Sequence, residues 1–351
     1  MSQVPHGPAD EQADDRSDGD QTRADSRGAG PPAVAVTDLE LTYSDGTRAV
    51  DGVSLTIPRG ECFGFLGANG AGKTTTIKVL ATLLSPTGGT VEINGYDVTQ
   101  QRTAVRGTIG YMAQSVSVDE ELSARDNLAF ACQAYGVDDR TDRIDELLAL
   151  VDLADVADTP AGNFSGGMQK RLDAAMALVH DPELVFLDEP TTGLDPAARE
   201  RLWEYVERIN ERGTTVFLTT QYLAEADRLC DRLAVLRDGT VVAEGSPAEL
   251  KRGVGGQTLE VTLAGGADAA DRGARVARES HCLGPDDTVE TTETGLAVTT
   301  PAASERGPEL VVALREAGLA VTGFDIEDVT LDDVFFAIAD GDETPFAEGS
   351  A

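Results

Sequence analysis

Eight residues, Gly67-Ala68-Asn69-Gly70-Ala71-Gly72-Lys73-Thr74, form a glycine-rich loop that can wrap a chain of phosphates. Backbone N–H groups across Gly67–Thr74 would cradle the anion where a helix begins, because the helix dipole favours negative charge there. Lys73 would reach the β- and γ-phosphates, and the Thr74 hydroxyl would coordinate Mg²⁺. Alone, this loop says only that some nucleotide is bound. Farther along, Leu184-Val185-Phe186-Leu187 runs into Asp188-Glu189-Pro190. Four apolar residues suit a strand covered on both faces, and ligands collect outside the carboxyl ends of such strands. Asp188 is placed to hold Mg²⁺. Glu189 is placed to orient attacking water or accept its proton. Phosphoryl transfer is mostly positioning and charge stabilisation, so these are the parts it needs. Between the two stretches lies Phe164-Ser165-Gly166-Gly167-Met168-Gln169. Ser165, Gly166 and Gly167 open a helix with Leu172, Met176 and Val179 on one side and Pro182 as its stop. That helix start is a second anion site. A helical insert carries it away from the first. Pairing across a dimer resolves the geometry, each copy's Ser-Gly-Gly closing over the other copy's ATP.

The elements that must position these residues follow from patterning. Val34, Val36, Leu39–Tyr43 and Val53–Ile57 read as strands, with Asp45-Gly46 as a turn. Glu61–Leu66 is a short strand feeding the glycine loop. Thr74–Leu84 reads as a helix with Ile77, Leu80, Leu83 and Leu84 on one face. Residues 119–160 hold two amphipathic helices, Ala124–Tyr135 and Asp142–Leu153. Strands return at Leu184–Leu187, Thr215–Leu218 and Leu233–Leu236, with helices between them, which predicts a parallel α/β sheet. Beyond Lys251 the character changes. Gly253–Gly256 reads as a linker, Leu259, Val261 and Leu263 as a strand, Leu310, Val311 and Leu314 as a helix, and Gly318–Phe324 as a strand. Thr330-Leu331-Asp332-Asp333 fits a helix-capping box.

The expected organisation is a disordered acidic tail over 1–32, an α/β phosphate-loop core over 33–250 and a small α+β accessory domain over 251–345. The core carries a helical subdomain at about 115–170, and a short tail covers 346–351. The first tail is rich in Asp, Gly, Pro, Ser and Gln and cannot bury enough apolar surface to offset its ordering entropy.

Composition narrows the partners. The 351 residues include 28 basic and 62 acidic side chains, a net charge of −34, with 41% hydrophobic residues for a core. Such a charge disfavours nucleic acid, which is bound through Lys and Arg at phosphates. It also disfavours direct adsorption to anionic lipid. Only four lysines are present, Lys73, Lys78, Lys170 and Lys251. An acidic, lysine-poor chain resembles proteins from salt-accumulating halophiles, whose self-repulsion is relieved by screening. The melting temperature is therefore expected to rise from dilute buffer to molar KCl, and a fall on adding salt would contradict this reading. Cys62, Cys132, Cys230 and Cys282 form no Cys-x-x-Cys pair and read as small buried residues in a reducing compartment. No signal peptide is evident, and no apolar run approaches the ~18 residues of a membrane span. The expected location is cytoplasmic, with any membrane role supplied by a partner.

In its order of features the sequence resembles the ATP-binding subunits of ABC transporters over about residues 34–250. The glycine loop, Gln114, Ser165-Gly166-Gly167, Asp188-Glu189 and Gly193-Leu194-Asp195 occur in the family's order. The resemblance implies a homodimeric ATP hydrolase coupled to a separately encoded integral-membrane permease, peripheral on the inner face of the membrane. It implies Tyr43 stacked on adenine and Asn69, Gly70, Ala71, Gly72 and Thr75 around the phosphates. It also implies Gln114 beside Mg²⁺, facing the membrane partner. Phe164–Asp173, Thr219-Thr220-Gln221-Tyr222-Leu223 and Thr330–Phe335 resemble the daunorubicin-resistance drug exporters more closely still. That implies efflux of a drug-like or hydrophobic cargo; export of lipid or polysaccharide, or a soluble non-transport ATPase, are the alternatives. One departure is plain: the switch position usually holds His and here holds Gln221. Glutamine can hydrogen-bond a γ-phosphate but cannot become cationic.

Overall fold

The computed structural model describes residues 30–254, 256–284 and 287–339. Of the expected tails, 1–32 and 346–351, residues 1–29 and 346–351 lie outside them. From the N-terminus, β1 (Val34–Thr42) and β2 (Arg48–Ile57) pair antiparallel, and β3 (Cys62–Gly67) runs through the glycine loop into α1 (Lys73–Leu80). Next come β4 (Gly88–Ile93), β5 (Tyr96–Asp97), α2 (Arg102–Thr108) and β6 (Ile109–Met112). The helical insert contains α3 (Ala124–Tyr135), α4 (Arg140–Leu150) and α5 (Gly166–Met176). The chain returns through β7 (Leu184–Asp188), α6 (Pro196–Glu211), β8 (Thr215–Thr220), α7 (Leu223–Leu229), β9 (Arg232–Arg237), β10 (Thr240–Gly245) and α8 (Pro247–Val254). A second lobe follows with β11 (Gln257–Leu263), α9 (Gly266–Glu279), β12 (Thr288–Thr291), β13 (Gly295–Thr300), α10 (Ala303–Glu316) and β14 (Val321–Glu327), and α11 (Leu331–Ala339) closes the described chain.

The central sheet has the order β10-β9-β3-β8-β7-β6. Its pairings from β9 to β6 are parallel and only β10 runs antiparallel. The apolar runs of β3 and β7 follow from burial on both faces. Cys62, Leu66, Val185 and Leu187 enter the core beneath the helical insert. Phe63, Phe65, Leu184 and Phe186 enter the core under the antiparallel β2-β1-β4-β5 sheet. Register then fixes the chemistry. Leu66 pairs with Thr220 and Asp188 with Thr219, so the glycine loop, Gln221 and the acidic pair leave adjacent strands at one sheet edge.

Several boundaries shift for identifiable reasons. The helix expected over 74–84 ends at Leu80, because Thr82 adopts a left-handed conformation (φ 62°), and Leu83 is exposed. α5 stops at Met176, short of Val179 and well before Pro182. The expected strand at 318–324 begins at Val321, because Gly318, at φ 78°, caps α10 and its N–H bonds Arg315 O. Cys62, Cys132 and Cys230 are buried, whereas Cys282 is only partly so.

The second lobe is an antiparallel β12-β13-β11-β14 sheet whose core gathers Leu259, Val261, Leu296 and Val298 with Ala277, Leu310 and Leu314 of its helices. α11 packs elsewhere. It falls within the span 251–345 read from sequence as one accessory domain, yet Leu331, Val334 and Ile338 join the core of the first lobe, together with Leu250 of α8. Among the described residues no helix is long and apolar enough to cross a membrane.

Candidate nucleotide site

The glycine loop must turn sharply between β3 and α1, and its glycines make that possible. Gly72 sits at φ 110°, and a Cβ there would lie 2.4 Å from Ala49 O. Gly72 caps α1 with no side-chain acceptor, so the first-turn N–H groups are left for an anion. Lys73 is 4% exposed, and its ammonium donates to Gly67 O (2.7 Å) and Ala68 O (3.1 Å). Burial pulls its pKa below the usual lysine value, against the opposing pull of Glu189 and Asp188. The cation is thus folded back on its own loop, able to exchange loop carbonyls for phosphate oxygens.

The acidic pair faces this lysine. Glu189 Oε1 lies 3.7 Å from Lys73 Nζ, and Glu189 Oε2 accepts from Gln114 Nε2 (3.1 Å) and Thr192 Oγ1 (3.2 Å). Glu189 has a positive φ of 49°, an unfavourable conformation for a long side chain. Its N–H is held by Thr219 O (3.0 Å) and Thr219 Oγ1 (3.1 Å), which lock the strained turn and aim the carboxylate. Asp188 Oδ1 accepts from Thr219 Oγ1 (2.6 Å) and Thr74 Oγ1 (3.3 Å). Asp188 Oδ2 is buried without a hydrogen-bond partner, and burial pushes the carboxyl's pKa up. A buried free carboxylate oxygen beside a threonine hydroxyl is an oxygen set that suits a hard cation such as Mg²⁺.

Lys73, Thr74, Gln114 and Glu189 border a cavity of about 650 Å³, which Asp188 does not line. Tyr43, Asn69, Gly70, Gly72, Lys73, Thr74, Thr75, Gln114, Glu189 and Gln221 line it. Tyr43 is 40% exposed and its hydroxyl is 3.0 Å from Thr75 Oγ1. Gly67 and Ala71, also in the loop, are buried and do not line the cavity, and the Ala71 N–H bonds Ala68 O (3.1 Å), closing a turn. Thr47, Arg48, Ala49 and Thr192 also line the cavity and were not foreseen. Arg48 and Ala49 begin β2, Thr47 and Thr192 lie outside helices and strands, and no motif in the sequence marks any of the four.

Ser165, Gly166 and Gly167 are not among the lining residues. Ser165 caps α5, its Oγ accepting from Met168 N–H (3.3 Å). Ser165 and Gly166 are exposed, while Gly167 is buried where a Cβ would sit 2.6 Å from Ala198 Cβ. Two further side chains tie this helix to the nucleotide site. Lys170 Nζ donates to Gln114 O (2.8 Å), and Asp173 Oδ1 accepts from Ser117 N–H (3.3 Å) and the Ser117 hydroxyl. Lys170 and Asp173 are both buried, so the segment carrying Gln114 is fastened to the helix that begins at Ser165. His180 lies apart from all of this, stacked 3.9 Å from the Tyr135 ring and bonded to Ile109 O (2.9 Å).

Parallel strands ending in a phosphate loop and an acidic pair, with a capped glycine helix on a separate helical insert, define an ATP-binding cassette. Residues 50–192 match the family model described as ABC transporter. The chain is 42% identical over 312 residues to the daunorubicin resistance ATP-binding protein DrrA3 of Streptomyces coeruleorubidus, covering 88% of this chain and 96% of that one. It is 41% identical over 239 residues to Nod factor export ATP-binding protein I of Sinorhizobium fredii, 67% of this chain and 69% of that one. A solved dimeric ATP-binding cassette in a post-hydrolysis state with ADP and Pi superposes with a TM-score of 0.57 at 28% identity. That match covers 61% of this chain and 98% of that one. The chain belongs to the ABC transporter ATP-binding subunits, in the daunorubicin-resistance branch of drug exporters, and is an ATP hydrolase.

Proposed function

We propose that two copies of this chain clasp two ATP molecules and two Mg²⁺ ions between them and drive a separately encoded integral-membrane permease. The observation that carries this reading is the placement of Ser165–Gly167. Ser165 caps the start of α5, Ser165 and Gly166 are exposed, and none of Ser165–Gly167 lines the cavity of its own chain. A second copy brings that helix start onto the open side of the cavity. ATP can favour the closed pair only by binding it better than the open one, and contacts from the partner copy supply that preference.

Within each copy the roles follow from geometry. Tyr43 stacks the base. Loop amides from Gly67 to Thr75, with Asn69, hold the phosphates, and Lys73 neutralises them. Thr74, Asp188 and Gln114 hold Mg²⁺, which when bound neutralises phosphate charge. Glu189 orients water for attack. Gln221 donates to the γ-phosphate and, being neutral at every pH, takes no proton. Hydrolysis removes the contact that favours closure, and the pair reopens.

The chain works on the cytoplasmic face of the membrane, held there by the permease and not by lipid, in keeping with its charge of −34. A drug-like or hydrophobic cargo fits the relative named for daunorubicin resistance. The Nod factor export relative favours, as a second reading, a cargo with lipid or sugar character. Co-expression with an integral-membrane permease that binds this chain should lower daunorubicin accumulation in sensitive cells, and the Glu189→Gln variant should abolish that protection. Accumulation unchanged by the pair would exclude this drug as cargo.

A further inference from the structure

α11 follows the second lobe in sequence but packs on the first. It lies against α8 and α7, the latter being the helix that follows Gln221. Its final turns reach the rear of the glycine loop. There Phe335 and Ile338 share a cavity of about 250 Å³ with loop residues Ala68 to Ala71, whose remaining wall is the end of β9 and Asp238 just after it. Two hydrogen bonds continue the contact. Arg237 Nη1 donates to Ile338 O, and Gly239 N–H donates to Ala71 O (3.0 Å). Arg237 ends β9 and Gly239 lies in the turn that follows it, so helix end, strand end, turn and phosphate loop form an unbroken chain of contacts.

The other end of α11 is fixed as firmly. The capping box expected at Thr330–Asp333 is present: Asp333 Oδ2 accepts from Thr330 N–H (2.8 Å) and Thr330 Oγ1 (2.7 Å). Just before it, Asp328 Oδ1 accepts from Gln257 Nε2 (2.6 Å) at the start of β11. Movement of the second lobe must therefore be felt at the base of α11, and the far end of α11 touches the loop.

A glycine-rich loop is soft. Its grip on phosphate depends on several N–H groups pointing inward together, and fixing that arrangement beforehand improves binding. The carbonyls at a helix C-terminus lack partners and favour a cation, which is what Arg237 supplies at Ile338.

We infer that α11 is a strut through which the C-terminal lobe sets the shape of the phosphate loop, with Arg237, Phe335 and Ile338 as positioning residues for ATP binding. The inference rests on ATP occupying the glycine loop.

The test uses the full chain carrying Arg237→Ala, Arg237→Lys or Phe335→Ala. ATP affinity is measured in the Glu189→Gln background, and KM, kcat and melting temperature without that change. Arg237→Ala and Phe335→Ala should each weaken ATP binding and raise KM about five- to twentyfold. The kcat should stay within about twofold, and Arg237→Lys should recover most of the affinity. Should Phe335→Ala fail to fold, the exposed Arg237 carries the test. A lowered melting temperature with unchanged affinity, or a lost kcat with unchanged KM, overturns the inference by leaving α11 a merely structural element. A parent chain that binds no ATP overturns the nucleotide reading as well, and the wild-type titration separates the two failures.

Discussion

Glu189→Gln is expected to lower ATP turnover by about two to three orders of magnitude, the usual contribution of a positioned general base, while leaving ATP binding intact. The substitution conserves size and keeps one acceptor oxygen for Gln114 Nε2 and Thr192 Oγ1, which hold the carboxylate at 3.1 and 3.2 Å. It removes the negative charge that polarises water. The backbone strain at φ 49° is unchanged, because Thr219 supplies both bonds to the Glu189 N–H. Hydrolysis is the step that reopens the proposed pair, so the variant should also accumulate as an ATP-loaded dimer. Phosphate release and light scattering with saturating Mg-ATP read both effects. Turnover within threefold of the parent would remove Glu189 from the catalytic step.

Lys73→Met should lower ATP affinity by about two to three orders of magnitude, since removing one member of a buried charge group costs about 3–5 kcal/mol and each 1.4 kcal/mol is tenfold. Methionine keeps most of the stem and loses the cation. The loop then loses the bonds to Gly67 O and Ala68 O at 2.7 and 3.1 Å, and Glu189 faces the cavity, with Asp188 buried behind it, without the neutralising ammonium. Nucleotide triphosphate entering that cavity meets the Glu189 carboxylate and no ammonium. Equilibrium titration with ATP checks the affinity, and the thermal stabilisation by ATP expected of the parent should be absent. A loss smaller than tenfold would mean that backbone amides alone hold the phosphates.

The parts that were legible in the sequence are those whose chemistry is local. A glycine loop between an apolar strand and a helix, a buried strand ending in two acids, and a serine-capped glycine helix each declare themselves within about ten residues. Thr330 and Asp333 were readable as a capping box for the same reason. What the sequence hid is long-range pairing. Nothing near Lys170 points to Gln114 O, 56 residues away, and nothing near Arg237 points to Ile338 O, 101 residues away. The packing of α11 on the first lobe was hidden too, because its apolar face is equally suited to either core. Leu83 misled through periodicity: its spacing continues the α1 face, but Thr82 turns the backbone first and leaves it in solvent.

The proposed clasp is tested most directly by cross-linking. One copy would carry Ser165→Cys and the other Asn69→Cys, with the native cysteines replaced and Glu189→Gln present in both to prevent hydrolysis. A thiol cross-linker should join the two copies in Mg-ATP and not without nucleotide. Cross-links that form equally without ATP, or that never join separate polypeptides, would show that Ser165–Gly167 do not close over a neighbour's nucleotide.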